Sequence, residues 1–203
     1  MEIKDKDYWL QKEEDIQTEL ISLRDYDLIF YEKKRNYADL RYLIRKGVAK
    51  ALLQARKYLP KGYNFKVYDG WRSWELQEIC AKWFEGNIRK AHPTWSEAQI
   101  KKELWKLAPP QRVFPDLGSH RYGGAIDLNI VDNEGKELNM GVPVDYAKGE
   151  EARLLYYEKD NLTPKEIEYR NNRRLLIKVM EKTGFHPYLA EWWHWSFKND
   201  IKF

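Results

Sequence analysis

Cysteine is almost missing from this sequence, which has one, Cys80, among 203 residues. A single cysteine excludes an internal disulfide framework and fits a reducing compartment. A chain of this length can bury an apolar core without disulfides or structural metals. The N-terminus has neither the basic start nor the apolar stretch of a signal peptide, so we expect a cytoplasmic protein.

Long apolar runs and basic blocks are also missing. No run is long enough to cross a bilayer, so no membrane partner is expected. The 36 basic and 32 acidic residues are interleaved and give a net charge of only +4, so nucleic acid is a weak candidate partner. Neither a repeat nor a Pro/Gly-rich linker marks a boundary, and the sequence predicts one domain over residues 1–203.

The first helical pattern covers residues 38–59, where apolar residues recur at steps of three and four and predict one amphipathic helix. Pro60 and Gly62 end it. Residues 65–68 follow as a short segment bounded by turn residues, which predicts a strand.

Three more helices are predicted further along the chain. One begins near Ser73 and runs towards Gly86. Another begins at Thr94, in a sequence that resembles a capping box, and ends before Pro109. The last begins at Thr163, where a cap, a proline and an acid follow one another, and ends at Gly184.

Two segments alternate like strands, residues 125–130 and residues 192–197. In the first, Asp127 and Asn129 share the polar face; in the second, His194 lies among aromatic residues. Helices mixed with non-consecutive strands indicate an α+β domain.

Histidine is scarce, with four residues in the chain. His92 and His186 each precede a proline and are expected in loops as ordinary polar residues. His120 is followed by glycines that let the backbone turn and then by the strand that carries Asp127. With His194, this set offers two imidazoles and one carboxylate, which leave the fourth position of a tetrahedral zinc open for water, as in catalytic sites.

Glu191, three residues before His194, is the candidate general base. Residues three apart on a regular strand point to opposite faces. Glu191 must therefore precede the strand, or a bulge must re-aim it.

Each of these residues also has an ordinary structural interpretation. A loop histidine beside an aspartate is more often a hydrogen-bonded pair, an aromatic run is more often core, and Glu191 alone could be a solvated turn residue. Arg72 could donate to an oxyanion, or it could pair with Asp69 or with a helix acid. Residue spacing alone leaves the metal site and the ordinary structure about equally favoured.

Further motifs extend over nearly the whole chain. They are Tyr31, Asn36-Tyr37, Asp69-Gly70-Trp71-Arg72, His120 to Asp127, Met140-Gly141, Asn172 to Leu176, Met180-Glu181, Gly184-Phe185 and Glu191-Trp192-Trp193-His194. In this order they resemble the zinc D-alanyl-D-alanine dipeptidases, the family of the vancomycin-resistance dipeptidase, with the hedgehog signalling domains as relatives. The resemblance implies an α+β fold in which an antiparallel sheet carries the zinc and helices flank it.

The resemblance also implies the roles of the site residues. His120, Asp127 and His194 would hold one Zn²⁺ per chain, with Glu191 as the base and Arg72 stabilising the tetrahedral intermediate. The predicted substrate-binding residues are Tyr31, Ser119, Asp69 and Trp193. The substrate would be a small dipeptide, and the sequence leaves open whether the chain forms a homo-oligomer.

Two departures from the family accompany this resemblance. Gly118 stands where the family usually has a serine that is thought to help hold the substrate's amino group, which leaves the substrate range open. Residues 86–111 match the family poorly and predict a charged helical insertion that covers the site or recruits a partner.

Three functions therefore remain on the sequence alone. The first is cleavage of D-Ala-D-Ala into two D-alanines. The second is a related carboxypeptidase or endopeptidase of peptidoglycan, of L,D or D,D type. The third is a zinc-binding domain without catalysis, against which the presence of Glu191 and Arg72 argues.

Overall fold

The computed structural model describes residues 19–33, 36–108 and 117–198. The N-terminal segment, on which the expectation about a signal peptide rests, and Pro109, before which the third helix was predicted to end, lie outside these ranges. Within them, no helix is both long and apolar enough to pass through a bilayer.

The architecture is a mixed α+β arrangement, which confirms the predicted class. The strands are β1 (Leu20–Ser22), β2 (Ile29–Phe30), β3 (Leu43–Arg45), β4 (Asn64–Asp69), β5 (Ala125–Val131), β6 (His186–Pro187) and β7 (His194–Ser196). The helices are α1 (Lys46–Arg56), α2 (Trp74–Ala91), α3 (Glu97–Leu107) and α4 (Pro164–Glu181), with short 3₁₀ turns at Leu23–Asp25, His120–Tyr122 and Glu150–Ala152.

Five strands form the main sheet in the order β2-β4-β5-β7-β6, and β1 pairs with β3 in a separate two-stranded sheet. The main sheet is antiparallel except at its edge, where β2 runs parallel to β4. The prediction of an antiparallel sheet thus holds for the strands that carry the site and is wrong for that edge.

The core lies between one face of this sheet and helices α1 and α4. Leu52 of α1 and Leu176 of α4 are fully buried there, together with Phe65, Val67 and Ile126 from the sheet. The alternation of β4 and β5 places these apolar residues on the core face. The opposite face is left to the polar residues of the same strands.

The predicted helix over 38–59 is wrong in its first third. Residues 43–45 form strand β3, because they pair with residues 20–22 of β1. Arg45 at the end of the strand is buried and donates to the carbonyls of Leu117 and Tyr122 at 2.6 Å each. Long-range pairing here overrides the local helical periodicity.

Other boundaries also differ from prediction. Helix α2 begins after Ser73 as expected but passes through Gly86 to Ala91, because Ile88 continues its buried face. Helix α3 begins after Ser96, whose side chain forms a capping box with Gln99, and so the start predicted at Thr94 is wrong.

Helix α4 begins and ends as predicted. Thr163 and Glu166 form the capping box, Pro164 is the first helical residue, and Gly184 adopts φ +88° just after the helix. His186 lies in strand β6 rather than in a loop, since it pairs with Ser196 of β7.

Candidate metal centre

Three polar residues form one row across three neighbouring strands. Asp69 of β4 faces Asp127 of β5 in the register, and Asp127 faces His194 of β7. An irregularity between Val67 and Asp69 shifts the pairing and brings Asp69 into this row. The sheet itself therefore holds Asp127 and His194 side by side.

His120 reaches the row from the 3₁₀ turn that precedes β5. Gly123 closes this turn with φ +62°, a conformation that favours glycine. The His120 Nδ1 atom lies 2.6 Å from the Gly70 carbonyl. A carbonyl oxygen only accepts, so Nδ1 carries the hydrogen and Nε2 presents its lone pair to the row.

Gly70 allows the backbone at this point to pass unusually close to strand β3. A side-chain Cβ at Gly70 would lie 2.5 Å from the Leu43 carbonyl oxygen, which is too short for contact with rigid backbone. The glycine thereby keeps its own carbonyl in place as the acceptor for His120.

The three donor atoms converge on one point. His120 Nε2, His194 Nδ1 and Asp127 Oδ1 are each 3.2 Å from the other two. Two donors placed about 2.0–2.1 Å from a tetrahedral zinc lie about 3.3–3.4 Å apart, so this triangle fits a zinc-sized ion. The predicted ligand set is the one that the structure brings together.

The charges in the triangle also fit a cation. Burial lowers the pKa of His194, which favours the neutral imidazole that binds metals. Burial alone would raise the pKa of Asp127, but the neighbouring His120 and His194 hold it well below its usual range. The site thus presents a neutral His194 imidazole and an ionised Asp127 carboxylate.

Glu191 precedes strand β7, as the sequence argument required. Its backbone N–H donates to the Tyr188 carbonyl at 3.1 Å, and its carbonyl accepts from the His194 N–H at 3.3 Å. This turn places Glu191 and His194 on the same side, with Glu191 Oε2 3.9 Å from His194 Nδ1. The strand predicted over 192–197 correspondingly begins only at His194, and Trp192 and Trp193 belong to the turn.

The Glu191 carboxyl is buried and incompletely bonded. Among the described residues, its Oε1 atom has no hydrogen-bond partner. Burial, together with the negative charge of Asp127, raises its pKa well above the usual value against the opposing charge of Arg72. A buried carboxyl with an unpartnered oxygen is costly unless another group completes it.

Arg72 lines the pocket and contacts both acids of the row, Asp69 and Asp127. Its Nε donates to Asp69 Oδ2 at 2.6 Å, and its Nη2 donates to Asp127 Oδ2 at 3.0 Å. Burial opposes its charge, but the acids Asp69 and Asp127 raise the pKa of Arg72 well above its usual value. The ion pair with Asp69, the ordinary alternative from the sequence, is therefore present, and Arg72 additionally orients a candidate metal ligand.

The candidate ligands open into a pocket of about 160 Å³. Two of the four predicted substrate-binding residues, Ser119 and Trp193, line it. The Ser119 Oγ atom is buried and has no hydrogen-bond partner among the described residues. Asp69 lies behind Arg72 instead, and Tyr31 stacks on Tyr68 in a neighbouring groove of about 510 Å³.

Two charged residues of the pocket, Asp145 and Lys106, were not found from the sequence. Asp145 lines both the pocket and the neighbouring groove, adopts φ +62°, and accepts a hydrogen bond from the Tyr37 hydroxyl. Lys106, at the end of α3, also lines the pocket. Neither stands in a motif, so only the folded chain identifies them. The end of α3 thus reaches the pocket at Lys106 and Leu107.

Comparison with known proteins gives consistent results. The peptidase M15 family model, described as D-ala-D-ala dipeptidase, matches residues 28–201. A D-alanyl-D-alanine dipeptidase of Synechocystis sp. is 29% identical over 175 residues, which is 76% of this chain and 69% of the relative. One from Enterococcus faecalis is 28% identical over 160 residues, covering 74% of this chain and 71% of the relative.

Two more distant similarities complete the comparison. A D-alanyl-D-alanine dipeptidase of Escherichia coli is 25% identical over 167 residues, covering 80% of this chain and 70% of the relative. The solved structure of the LdcB LD-carboxypeptidase is 18% identical with a TM-score of 0.44, covering 89% of this chain and 68% of that chain. The family match includes each residue of the candidate metal centre.

Proposed function

The chain belongs to the D-Ala-D-Ala dipeptidase family of metallopeptidases, and from this we propose that it is a zinc enzyme that hydrolyses free D-alanyl-D-alanine to two D-alanines. The observation that carries the proposal is the triangle of His120, Asp127 and His194 donor atoms, 3.2 Å on each side, with the buried Glu191 beside it. A structural zinc site has four protein ligands, whereas this one offers three and a pocket.

His120, Asp127 and His194 would hold the metal ion. When bound, zinc supplies a Lewis acid that polarises a carbonyl and makes water a better nucleophile near neutral pH. The protein keeps its own ligands in position: Gly70 fixes the His120 tautomer, and Arg72 fixes the second oxygen of Asp127.

Glu191 acts as the general base in this proposal. Its Oε1 atom has no partner among the described residues and is free to accept a proton from the attacking water. The same carboxyl then delivers that proton to the amine that leaves when the peptide bond breaks. Its place in a turn anchored on Tyr188 keeps this carboxyl beside His194 through both steps.

Arg72 stabilises the charge that develops on the carbonyl oxygen. Its Nη2 atom gives one hydrogen to Asp127 and carries a second, and the residue lines the pocket. A guanidinium held by two carboxylates needs little reorganisation when the oxyanion forms.

Asp145 binds the free amino group of the substrate. The carboxylates that line the pocket are Asp127, Asp145 and Glu191. The first is assigned to the metal and the last to proton transfer, which leaves Asp145 to pair with an ammonium group. The buried Ser119 hydroxyl offers a further acceptor nearby.

The larger groove beside the pocket favours a second candidate, cleavage of a longer peptidoglycan peptide. It has a volume of about 510 Å³, and Asp145 lies at its junction with the pocket. A peptide extended beyond its N-terminus would need to pass Asp145 into this groove, where Tyr31 and Tyr68 stack.

The test is amino-acid release from D-Ala-D-Ala, L-Ala-D-Ala and N-acetyl-D-Ala-D-Ala by the zinc-loaded protein, with Glu191→Ala as the inactive control. The proposal expects rapid release from the free D,D-dipeptide and loss of about 10²-fold or more in the control. Preference for the acetylated substrate would assign the groove as a substrate site and reject the dipeptidase, whereas preference for L-Ala-D-Ala would keep a dipeptidase and reject its D,D specificity. No release from any of them would reject both candidates.

A further inference from the structure

Lys106, near the end of helix α3, lines both the pocket and a smaller neighbouring cavity that Glu103 also lines. The pocket wall on this side consists of Phe84 from α2 and of Lys106 and Leu107 from the last turn of α3. Lys106 and Leu107 belong to the segment over residues 86–111, which resembles the family poorly. They therefore give the pocket of this chain a feature that its metal centre does not explain.

The position of Lys106 is fixed relative to the metal centre. The Tyr188 hydroxyl donates to the Lys106 carbonyl, and the Tyr188 ring meets the His194 ring edge to face at 5.6 Å between centroids. Tyr188 also accepts the backbone N–H of Glu191. One residue thus connects the end of α3 to a candidate ligand and to the candidate base.

The hairpin of α2 and α3 is held mainly by a buried apolar cluster, because the ion pair between the two helices is exposed. The Arg89 guanidinium of α2 pairs with both oxygens of Glu97 of α3, at 2.6 and 2.7 Å. Below this pair, Phe84, Ile88 and Ile100 form a buried cluster of their own. The end of α3 is therefore a wall of the pocket held from two sides.

Lys106 is the cation of the pocket that has no assigned task. The described pocket residues with a permanent positive charge are Arg72 and Lys106. Arg72 is buried and held by Asp69 and Asp127. Lys106 pairs with Glu103, one turn away on the same helix, at 2.6 Å, and its side chain is 43% exposed. A partly exposed pair of this kind contributes little free energy, and its lysine can exchange the partner for another carboxylate.

We propose that Lys106 binds the C-terminal carboxylate of the substrate, so that the enzyme takes peptides with a free C-terminus and the α3 wall excludes chains that continue beyond it. The proposal rests on the proposed function and adds to it a binding group for the C-terminal end of the dipeptide. Asp145 receives the positive end of the dipeptide, and Lys106 receives the negative end. A charged group at each end of a small pocket selects a zwitterionic dipeptide over either a longer peptide or a blocked one.

The experiment compares hydrolysis of D-Ala-D-Ala with that of its C-terminal amide by the zinc-loaded protein and three variants. Lys106→Met removes the charge, Lys106→Arg keeps it, and Lys102→Met removes an exposed charge on the same helix. For the wild type, we expect kcat/KM to be about 10- to 100-fold higher for the acid than for the amide, which is the range for one hydrogen bond to a charged group.

In Lys106→Met, this preference falls to near unity, chiefly through a higher KM for the acid, while kcat/KM for the amide stays within about threefold of the wild type. Lys106→Arg retains most of the preference, and Lys102→Met retains all of it. If the role of Lys106 were only structural, Lys106→Met would lower kcat/KM equally for the acid and for the amide. That result would overturn the proposal.

The outcomes distinguish a failure of the Lys106 proposal from a failure of the proposed dipeptidase function. A wild type that cleaves acid and amide equally well keeps the dipeptidase and rejects the role of Lys106. So does a Lys106→Met variant that still prefers the acid as strongly as the wild type. A wild type that cleaves neither substrate rejects the proposed function and, with it, this inference.

Discussion

Arg72 holds one oxygen of Asp127 while the other oxygen of the same carboxylate faces the two histidines. The Arg72 Nη2 atom lies 3.0 Å from Asp127 Oδ2, and Asp127 Oδ1 lies 3.2 Å from both His120 Nε2 and His194 Nδ1. The arginine thereby orients a candidate metal ligand in addition to facing the pocket. Because Arg72 orients the Asp127 carboxylate, the site is more than a chance contact among three polar side chains.

Replacing Arg72 should weaken both metal binding and catalysis. Arg72→Lys keeps a charge but cannot reach Asp69 and Asp127 together, so Asp127 loses its orientation. We expect metal affinity to fall about 10- to 100-fold, measured by competition with a chromophoric chelator. The rate should fall about 10²-fold or more. Unchanged metal affinity with a lowered rate would restrict Arg72 to the oxyanion.

The variant Gly118→Ser tests whether this position can accept the serine that is usual in the family. A Cβ there would lie 2.3 Å from Cε of Lys198, so Gly118→Ser must push the lysine side chain aside. We expect Gly118→Ser to cost about 1 kcal/mol in the free energy of unfolding, and the double variant Gly118→Ser/Lys198→Ala to recover it. Urea denaturation of the two single variants and the double variant completes the cycle. Strictly additive costs would show that Lys198 is not the obstacle.

The residues that meet in the candidate metal centre could be named from the sequence more accurately than the helix and strand boundaries around them. Asp127 and His194 lie on short strands whose alternation is visible, and Glu191 had to precede its strand for a geometric reason. The helix over 38–59 failed because residues 43–45 find a strand partner in residues 20–22, which local periodicity cannot reveal.

The substrate side of the pocket was beyond sequence reasoning for a different reason. Asp145 and Lys106 come from a loop and from a helix end, distant in the chain, and only packing brings them to one cavity. Ser119 and Trp193, which line the pocket, each neighbour a candidate ligand in the sequence. Tyr31 was named with them, but the structure places it in the adjoining groove.

Arg173 and Arg174 are adjacent in α4 but should differ sharply in their effect on stability. Arg173 is buried and donates to the carbonyls of Met140, Glu151 and Arg153, whereas Arg174 forms an exposed pair with Glu158. Arg173→Met removes the side-chain donor from these carbonyls, of which, among the described residues, only that of Arg153 keeps a further donor, the Tyr156 N–H, and should cost about 3 kcal/mol or more. Arg174→Met should cost less than about 1 kcal/mol. Equal midpoints in urea for the two variants would contradict this assignment.

The Cys80 thiol should make the protein less stable at high pH. Burial raises the pKa of Cys80 from 9.0 to about 12, although the charge of Arg72 opposes this shift. Between these values the unfolded chain releases the proton and the folded chain retains it, so the stabilising contribution is complete below pH 9 and is lost as the pH rises towards 12. The loss amounts to about 4 kcal/mol for a shift of this size.

Cys80→Ser isolates this contribution, since other groups titrate in the same range. The difference in the free energy of unfolding between the wild type and Cys80→Ser should be constant below pH 9 and should fall as the pH rises above 9. A difference that is constant over the whole range would show that the thiol is not held protonated by burial.

The most direct test of the account is titration of the metal-free protein with zinc while D-alanine release from D-Ala-D-Ala is followed. We predict activity that rises linearly and saturates at one zinc per chain. His194→Ala should show neither tight zinc binding nor activity, and His186→Ala, an exposed histidine outside the pocket, should behave as the wild type. Full D-alanine release by the chelated, zinc-free protein, or by His194→Ala, would contradict the account.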